Sequence, residues 1–518
     1  MATYWTDGRF LETDRASVTT VVTDGGFIRA VGGAELLDGA SPGDRIERLD
    51  GFVVTPGLWD SHLHLEEMAR RHLQADLEGL DTLEEVVERV GHVRPQVGDW
   101  VLGAGWNHNR WGGRLLHRRD LDGLGRRPVL LDAHGEHIAC VNTEALRRVG
   151  WWPHPPSHLR ELVDVDREGP TGILREAAAG AFRALVPDVP PEEWRRGADR
   201  AAAELTAMGL VGATDMCRLT DRGFLPLAAW NHERHALRLH LFVADPPDVH
   251  LSSEELMGRA EAALCGGDGW WTRLLGRKLW LDGMLGSRTA WMLDPYEDDP
   301  GRGIPFWSDD VLDDDVSWLG AHGWSAALHA IGDAAVRQAL GVLERTTAAP
   351  AAATRRVEHA QIIHPEDIAR FRRAAAAASM QPVHILQDRL AAPAALADRS
   401  RRAFPLRALL DSGTPVALGS DAPVETPDPV IGMWSAVWRS APGEEPWHPE
   451  QALTPEEALV ASTRTPAALD HRPGGRIAPG LLADFTLFDR DPLDALRRRE
   501  PFRVMATVRD GAFVHRSF

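Results

Sequence analysis

The sequence predicts an α/β fold: a (β/α)8 TIM-type barrel, a small β domain assembled from both termini, and a large insert after the first barrel strand. Three observations carry this. Eight short apolar runs in the middle of the chain alternate with stretches of helical pattern, the signature of a parallel sheet. Both ends read as short strands broken by glycine turns. The first and second apolar runs are separated by far more chain than one crossover needs.

At the N-terminus, residues 18–22, 27–31 and 52–55 are strand-like and are punctuated by Asp24-Gly25-Gly26 and Gly32-Gly33. The C-terminus repeats the texture at 483–488 and 504–508, with turns at Pro479-Gly480 and Asp510-Gly511. Chain ends commonly lie close together, so residues 1–57 and 471–518 are assigned to one domain. The barrel, residues 58–470, draws its strands from 58–64, 211–216, 237–243, 277–283, 325–330, 356–360, 378–382 and 416–421. Helices are expected at 191–208, 333–346 and 365–377, with the alanine tract 374–378 as the end of the last. Residues from about 72 to 190 contain Trp106, Trp111, Trp151 and Trp152 and a Trp-Pro-His-Pro-Pro segment. A structureless loop of that length is implausible, so a folded subdomain is expected there, over the catalytic face.

A chain of 518 residues buries a large core without disulfides or metal staples, so any metal serves chemistry rather than folding. The net charge of −19 argues against nucleic acid and anionic membranes as partners. Cys140, Cys217 and Cys265 are sparse and form no C-x-x-C pair, which fits reduced thiols in a cytoplasmic protein. The first residues have no basic start followed by an apolar run, so no signal peptide is expected. No apolar stretch approaches the ~18 residues of a membrane span. A small-molecule substrate and a homodimer are the working expectations for partners.

The chemistry-bearing residues cluster at strand ends. Residues i and i+2 of a strand share a face, so His62 and His64 project together into the barrel mouth. Two adjacent imidazoles suit a divalent metal; a chance pair on a turn is the competing reading. His329 and His359 each end an apolar strand in consecutive strand–helix units, where barrel enzymes keep their chemistry. Asp421, directly after the eighth strand, is read as metal ligand and proton shuttle rather than helix cap, because burying a charge demands a partner. Lys278 alternates with Trp280 and Asp282 on one face. Carboxylated by CO2, it would become an anionic ligand able to bridge two metals. From spacing alone, a partly exposed edge lysine is the better reading.

These segments resemble the amidohydrolase superfamily, and within it the YtcJ-like branch (the amidohydrolase 3 family). The resemblance runs through Thr55-Pro56-Gly57-Leu58-Trp59-Asp60-Ser61-His62-Leu63-His64, the stretch from Asp282-Gly283-Met284 to Ala290, and His329-Ala330-Ile331-Gly332-Asp333. It continues in Glu358-His359-Ala360, Gln381-Pro382-Val383-His384, Gly419-Ser420-Asp421-Ala422-Pro423 and the ending from Gly475 to Phe485, and includes Gly103-Ala104-Gly105-Trp106 of the insert. It therefore spans nearly the whole chain. It implies that the terminal β domain is a β-sandwich and that His62, His64, His329, His359 and Asp421 hold metal. Two zinc ions are implied, with manganese or iron as alternatives, and Lys278 falls on strand four, where two-metal members place a carboxylated lysine. Met284 stands where relatives favour serine, and Glu136 precedes His137 where Asp-Gly-His is usual; both departures lie on the substrate side.

The expected reaction is hydrolysis of a C–N bond of amide, N-acyl or N-formyl type, with Asp421 as general base and then acid. Glu358 or Asp60 would hold the far nitrogen of a histidine ligand. Substrate contacts are assigned to Trp106, His137, Glu176, Arg288 and His384; for Arg288 the roles weighed are clamping a substrate carboxylate and making a structural ion pair. The rivals are a mononuclear deaminase on the same barrel, a catalytically silent scaffold, and non-hydrolytic chemistry reusing the site.

Overall fold

A computed structural model describes residues 1–13, 17–134, 138–187, 189–220, 224–234, 237–245, 249–264, 271–346 and 353–518. Eight strands succeed one another in chain order around a near-closed sheet: β1 (Leu58–Leu63), β2 (Leu210–Arg218), β3 (Arg238–Ala244), β4 (Thr272–Trp280), β5 (Ser325–Ala330), β6 (Arg355–His359), β7 (Ala376–Met380) and β8 (Val416–Leu418). Each neighbouring pair is parallel. Beyond the end of β8 the chain meets β1 through backbone bonds, with Asp421 N donating to His62 O at 2.7 Å and His64 N to Ala422 O at 2.8 Å. Strands covered on both faces tend to read as continuous apolar runs, which made most of them visible in the sequence, although β6 is largely charged.

Two expected elements differ. β4 starts at Thr272, earlier than its apolar run, because Thr272-Arg273-Leu274 pair with Leu239-His240-Leu241 of β3. The helix expected over 365–377 does not form. A short 3-10 turn (Pro365–Asp367) and one turn of helix (Arg370–Arg373) precede β7, which takes up most of the alanine tract. β7 has a partner on each side, and two ladders of backbone hydrogen bonds outweigh alanine's helical propensity. The other two expected helices are present, as Pro191–Ala207 and Asp333–Arg345.

The termini build two further sheets. Thr3–Thr6, Thr20–Asp24, Phe27–Gly32 and Arg45–Arg48 form one of four strands; Arg9–Phe10, Val53–Pro56, Phe485–Phe488, Val504–Arg509 and Ala512–Arg516 form one of five. Trp5, Val21, Ile28, Val54, Phe485, Leu487 and Val508 share one buried core, so both ends of the chain are needed for it. Arg238, at the start of β3, is buried and pairs with Asp484 (2.6 Å) and Asp510, tying the barrel to the C-terminal strands.

Residues Glu66–Ala201 form a separate compact unit. Its six-stranded sheet runs in the order Val163–Asp166, Gly169–Arg175, Ile138–Val141, Val129–Ala133, Val101–Trp106, Ala75–Asp76. Leu130 packs into one core with Trp100, Leu146 and Phe182, and Leu131 into another with Val86, Trp106 and Leu121, as strand alternation requires. Among the described residues no helix is long and apolar enough to cross a membrane.

Candidate metal centre

The barrel's carboxyl end gathers residues that are far apart in the chain. His62 is fully buried, and its Nδ1–H donates to Glu358 Oε2 at 2.7 Å. His64 Nδ1–H donates to the Met216 carbonyl at 3.0 Å. A carbonyl and an ionised carboxylate can only accept, so each imidazole presents a bare Nε2 to the centre. Both Nε2 atoms face Asp421 Oδ1, at 3.3 Å from His62 and 3.1 Å from His64. Acceptor opposite acceptor at this range calls for a proton or a cation between them. His62, His359 and Asp421 each offer an atom within 4.8 Å of the others'. Imidazoles with their far nitrogens held, converging on a carboxylate, fit a divalent metal.

The electrostatics suit the same occupant. Burial first, and the neighbouring cationic groups second, hold His359 well below its ordinary pKa and His329 at about 3, so both rings are neutral and able to donate a lone pair. The rings stack edge to face with centroids 4.4 Å apart, and His329 Nδ1 is buried without a hydrogen-bond partner among the described residues. Burial alone would raise the Asp421 carboxyl, but His384, His62 and His64 around it more than offset this and keep it well below the usual carboxylate range. Lys278 is buried, with Nζ 3.5 Å from His62 Nε2. Desolvation brings its ammonium down to about 8 despite the opposing pull of Glu358 and Asp421. His359 (φ 67°), Ala360 (φ 44°) and Asp421 (φ 63°) occupy left-handed backbone that non-glycine residues seldom adopt, and such strain concentrates at functional sites.

Behind the centre runs a buried polar chain. Arg356 Nε donates to Glu358 Oε1 at 2.8 Å, its Nη2 to the Ser61 carbonyl at 2.6 Å, and its Nη1 approaches Asp470 Oδ1 at 3.4 Å. Asp470 Oδ2 accepts from Thr214 and from His240 Nδ1, both at 2.9 Å. Glu358 stays ionised: burial opposes this, but Arg356 and the His62 hydrogen bond lower its pKa to about 2. Asp60 instead spans β1 and β8, accepting from the backbone N–H of His62 and of Ser420 at 3.0 Å each.

The remaining candidates fall in different places. His384 Nε2 lies 3.4 Å from Asp421 Oδ2, beside the centre. Arg288 donates to Asp298 through Nε at 2.8 Å and through Nη2, so the structure shows the ion pair. In the unit Glu66–Ala201, Trp106 is core, fully buried with Nε1 donating to the Leu131 carbonyl at 3.0 Å. Glu176 is exposed ahead of the helix Ala177–Arg183, with φ 45°. His137 lies outside the described residues, as does Glu136. Arg356 and Asp470 were missed by sequence reasoning. Arg356 left a trace, a charge two residues before Glu358 and so on the same strand face; Asp470 left none.

A family model described as the amidohydrolase family matches residues 46–515. YtcJ of Bacillus subtilis (strain 168), an amidohydrolase by name, is 30% identical over 497 residues, 91% of either chain. N-substituted formamide deformylase of Arthrobacter pascens is 28% identical over 539 residues, covering 97% of this chain and 96% of that one. A crystal structure of an uncharacterized metal-dependent hydrolase from Pyrococcus furiosus superposes with a TM-score of 0.79 at 27% identity, over 95% of this chain and all of that one.

Proposed function

The chain belongs to the amidohydrolase family, and we propose that it hydrolyses a C–N bond of amide, N-acyl or N-formyl type in a small molecule. The observation that carries this is the pair of bare imidazole nitrogens facing one carboxylate oxygen, an arrangement completed by a divalent cation. The formamide deformylase named among its relatives, alike over almost its full length, supports the C–N bond as target.

In this reading His62, His64, His329, His359, Asp421 and a carboxylated Lys278 would hold the metal, two zinc ions or manganese or iron. Lys278 is suited to that role because its amine is readily deprotonated near pH 8; the free amine adds CO2 to give a carbamate and a proton. Divalent metal bound there would supply Lewis acidity and bring the pKa of water toward neutrality. Asp421 accepts the proton of the attacking water and passes it to the departing nitrogen. His384, beside Asp421, is assigned to the substrate carbonyl oxygen. Glu358 fixes the ring of His62, and the Met216 carbonyl that of His64.

A mononuclear deaminase is favoured by one observation, that among the described residues the potential ligand atoms within 4.8 Å of one another come from three residues: His62, His359 and Asp421. Elemental analysis of protein purified without chelator, together with a screen of N-formyl and N-acyl amines, separates the two. About two ions per chain with amine release supports the proposal. Metal-loaded protein that cleaves none of them, but deaminates a ring amine, overturns it.

A further inference from the structure

Arg218 ends β2, and strand alternation puts it on the face of Thr214 and Met216. Thr214 reaches Asp470 in the barrel interior and Met216 lends its carbonyl to His64, so Arg218 is the next step outward, at the mouth. Its guanidinium carbon lies 4.5 Å from the centroid of the Trp280 ring, and Lys278 Nζ lies 5.5 Å from the same centroid. β3 runs between these strands. The residue it pairs with Arg218 is Ala244, whose single methyl leaves the arginine free to cross to β4.

Arg218 is exposed, and among the described residues its guanidinium has no hydrogen bond or ion pair. Other arginines of this barrel are engaged: Arg277 with Asp245 and Asp315, Arg356 with Glu358, Arg288 with Asp298. In a chain of net charge −19, a cation seated over an indole beside the centre and left, among the described residues, without a carboxylate is suited to receive an anion. The guanidinium fork matches a carboxylate at two points, and stacking already restricts it, so little freedom is lost on binding.

We propose that Arg218, carried on Trp280, binds a carboxylate of the substrate, which makes the substrates N-formyl or N-acyl amino acids and similar acylated amino acids rather than neutral amides. This rests on the C–N hydrolysis reading and adds the charge of the substrate to it.

The test compares N-formyl-L-phenylalanine with its carboxamide on the metal-loaded protein, its Arg218→Gln variant and its Arg218→Lys variant. The ratio of kcat/KM for acid over carboxamide is expected to be about tenfold or more in the parent, to fall toward one in Arg218→Gln, and to be partly kept in Arg218→Lys. Calorimetric binding of both compounds is measured in parallel and is expected to show the same ordering. Turnover of both compounds without preference for the acid, or a preference that survives Arg218→Gln, overturns the proposal while leaving C–N hydrolysis standing. If neither compound is cleaved, the hydrolysis reading is at fault, and the calorimetric preference and its loss in Arg218→Gln decide the anion site by themselves.

Discussion

Glu358 Oε2 accepts a hydrogen bond from His62 Nδ1 at 2.7 Å, and both side chains are shut away from solvent. This contact sets which nitrogen of His62 faces the centre, and Arg356 holds Glu358 in turn. Glu358→Gln keeps the shape but exchanges the carboxylate for an amide that no longer fixes the ring's tautomer. Metal affinity, read by competition with a chromogenic chelator, is expected to fall about 10- to 100-fold. Unchanged affinity in a folded variant would remove Glu358 from its proposed role.

Lys278 is expected to decide the number of metals. Lys278→Ala should bring metal content to about one per chain or less, and added bicarbonate should raise occupancy of the parent alone. Two ions retained in Lys278→Ala would eliminate the bridge.

Asp421→Asn removes the proposed proton acceptor while preserving the volume of the side chain. Hydrolysis is expected to fall at least about 100-fold, with the far-UV spectrum and melting temperature near those of the parent. Comparable rates in the two proteins would assign the proton transfer elsewhere.

Gly419 lies where β8 meets β1. A Cβ there would stand 2.5 Å from His62 N, 2.9 Å from His62 Cβ and 3.0 Å from Asp60 Oδ1. Backbone cannot yield as a flexible side chain does, so Gly419→Ala is expected to cost about 1–3 kcal/mol of stability and to push His62 off its position. Urea unfolding and metal content report the two effects, and a variant equal to the parent in both would show that the barrel gives way locally.

The pH dependence follows from Glu358. Its folded pKa of about 2 is below the ordinary 4.5, so its stabilising contribution is complete above about 4.5 and lost as pH falls through about 2. The urea midpoint of metal-free protein is expected to drop between about pH 5 and about pH 3, and Glu358→Gln, less stable throughout, should drop by less. Equal drops in both would place the acid sensitivity in other carboxylates.

The sequence by itself determined the alternation of strands and helices, the pairing of His62 with His64 on one strand face, and the positions of His329, His359 and Asp421 at strand ends. These are local properties: a period of two or 3.6 and a polar residue at the end of an apolar run are written in consecutive residues. The tertiary structure alone decided how those residues meet. Ser420 bonds Asp60 from 360 positions away only because the strands come round to one another. Asp470, after a helix near the end of the chain, reaches Arg356 and His240 inside the barrel. The same long-range pairing drew the alanine tract into β7, and packing placed Trp106 in a core. Which strand lies beside which, and in what register, depends on hydrogen bonds between distant segments, and no local period encodes it.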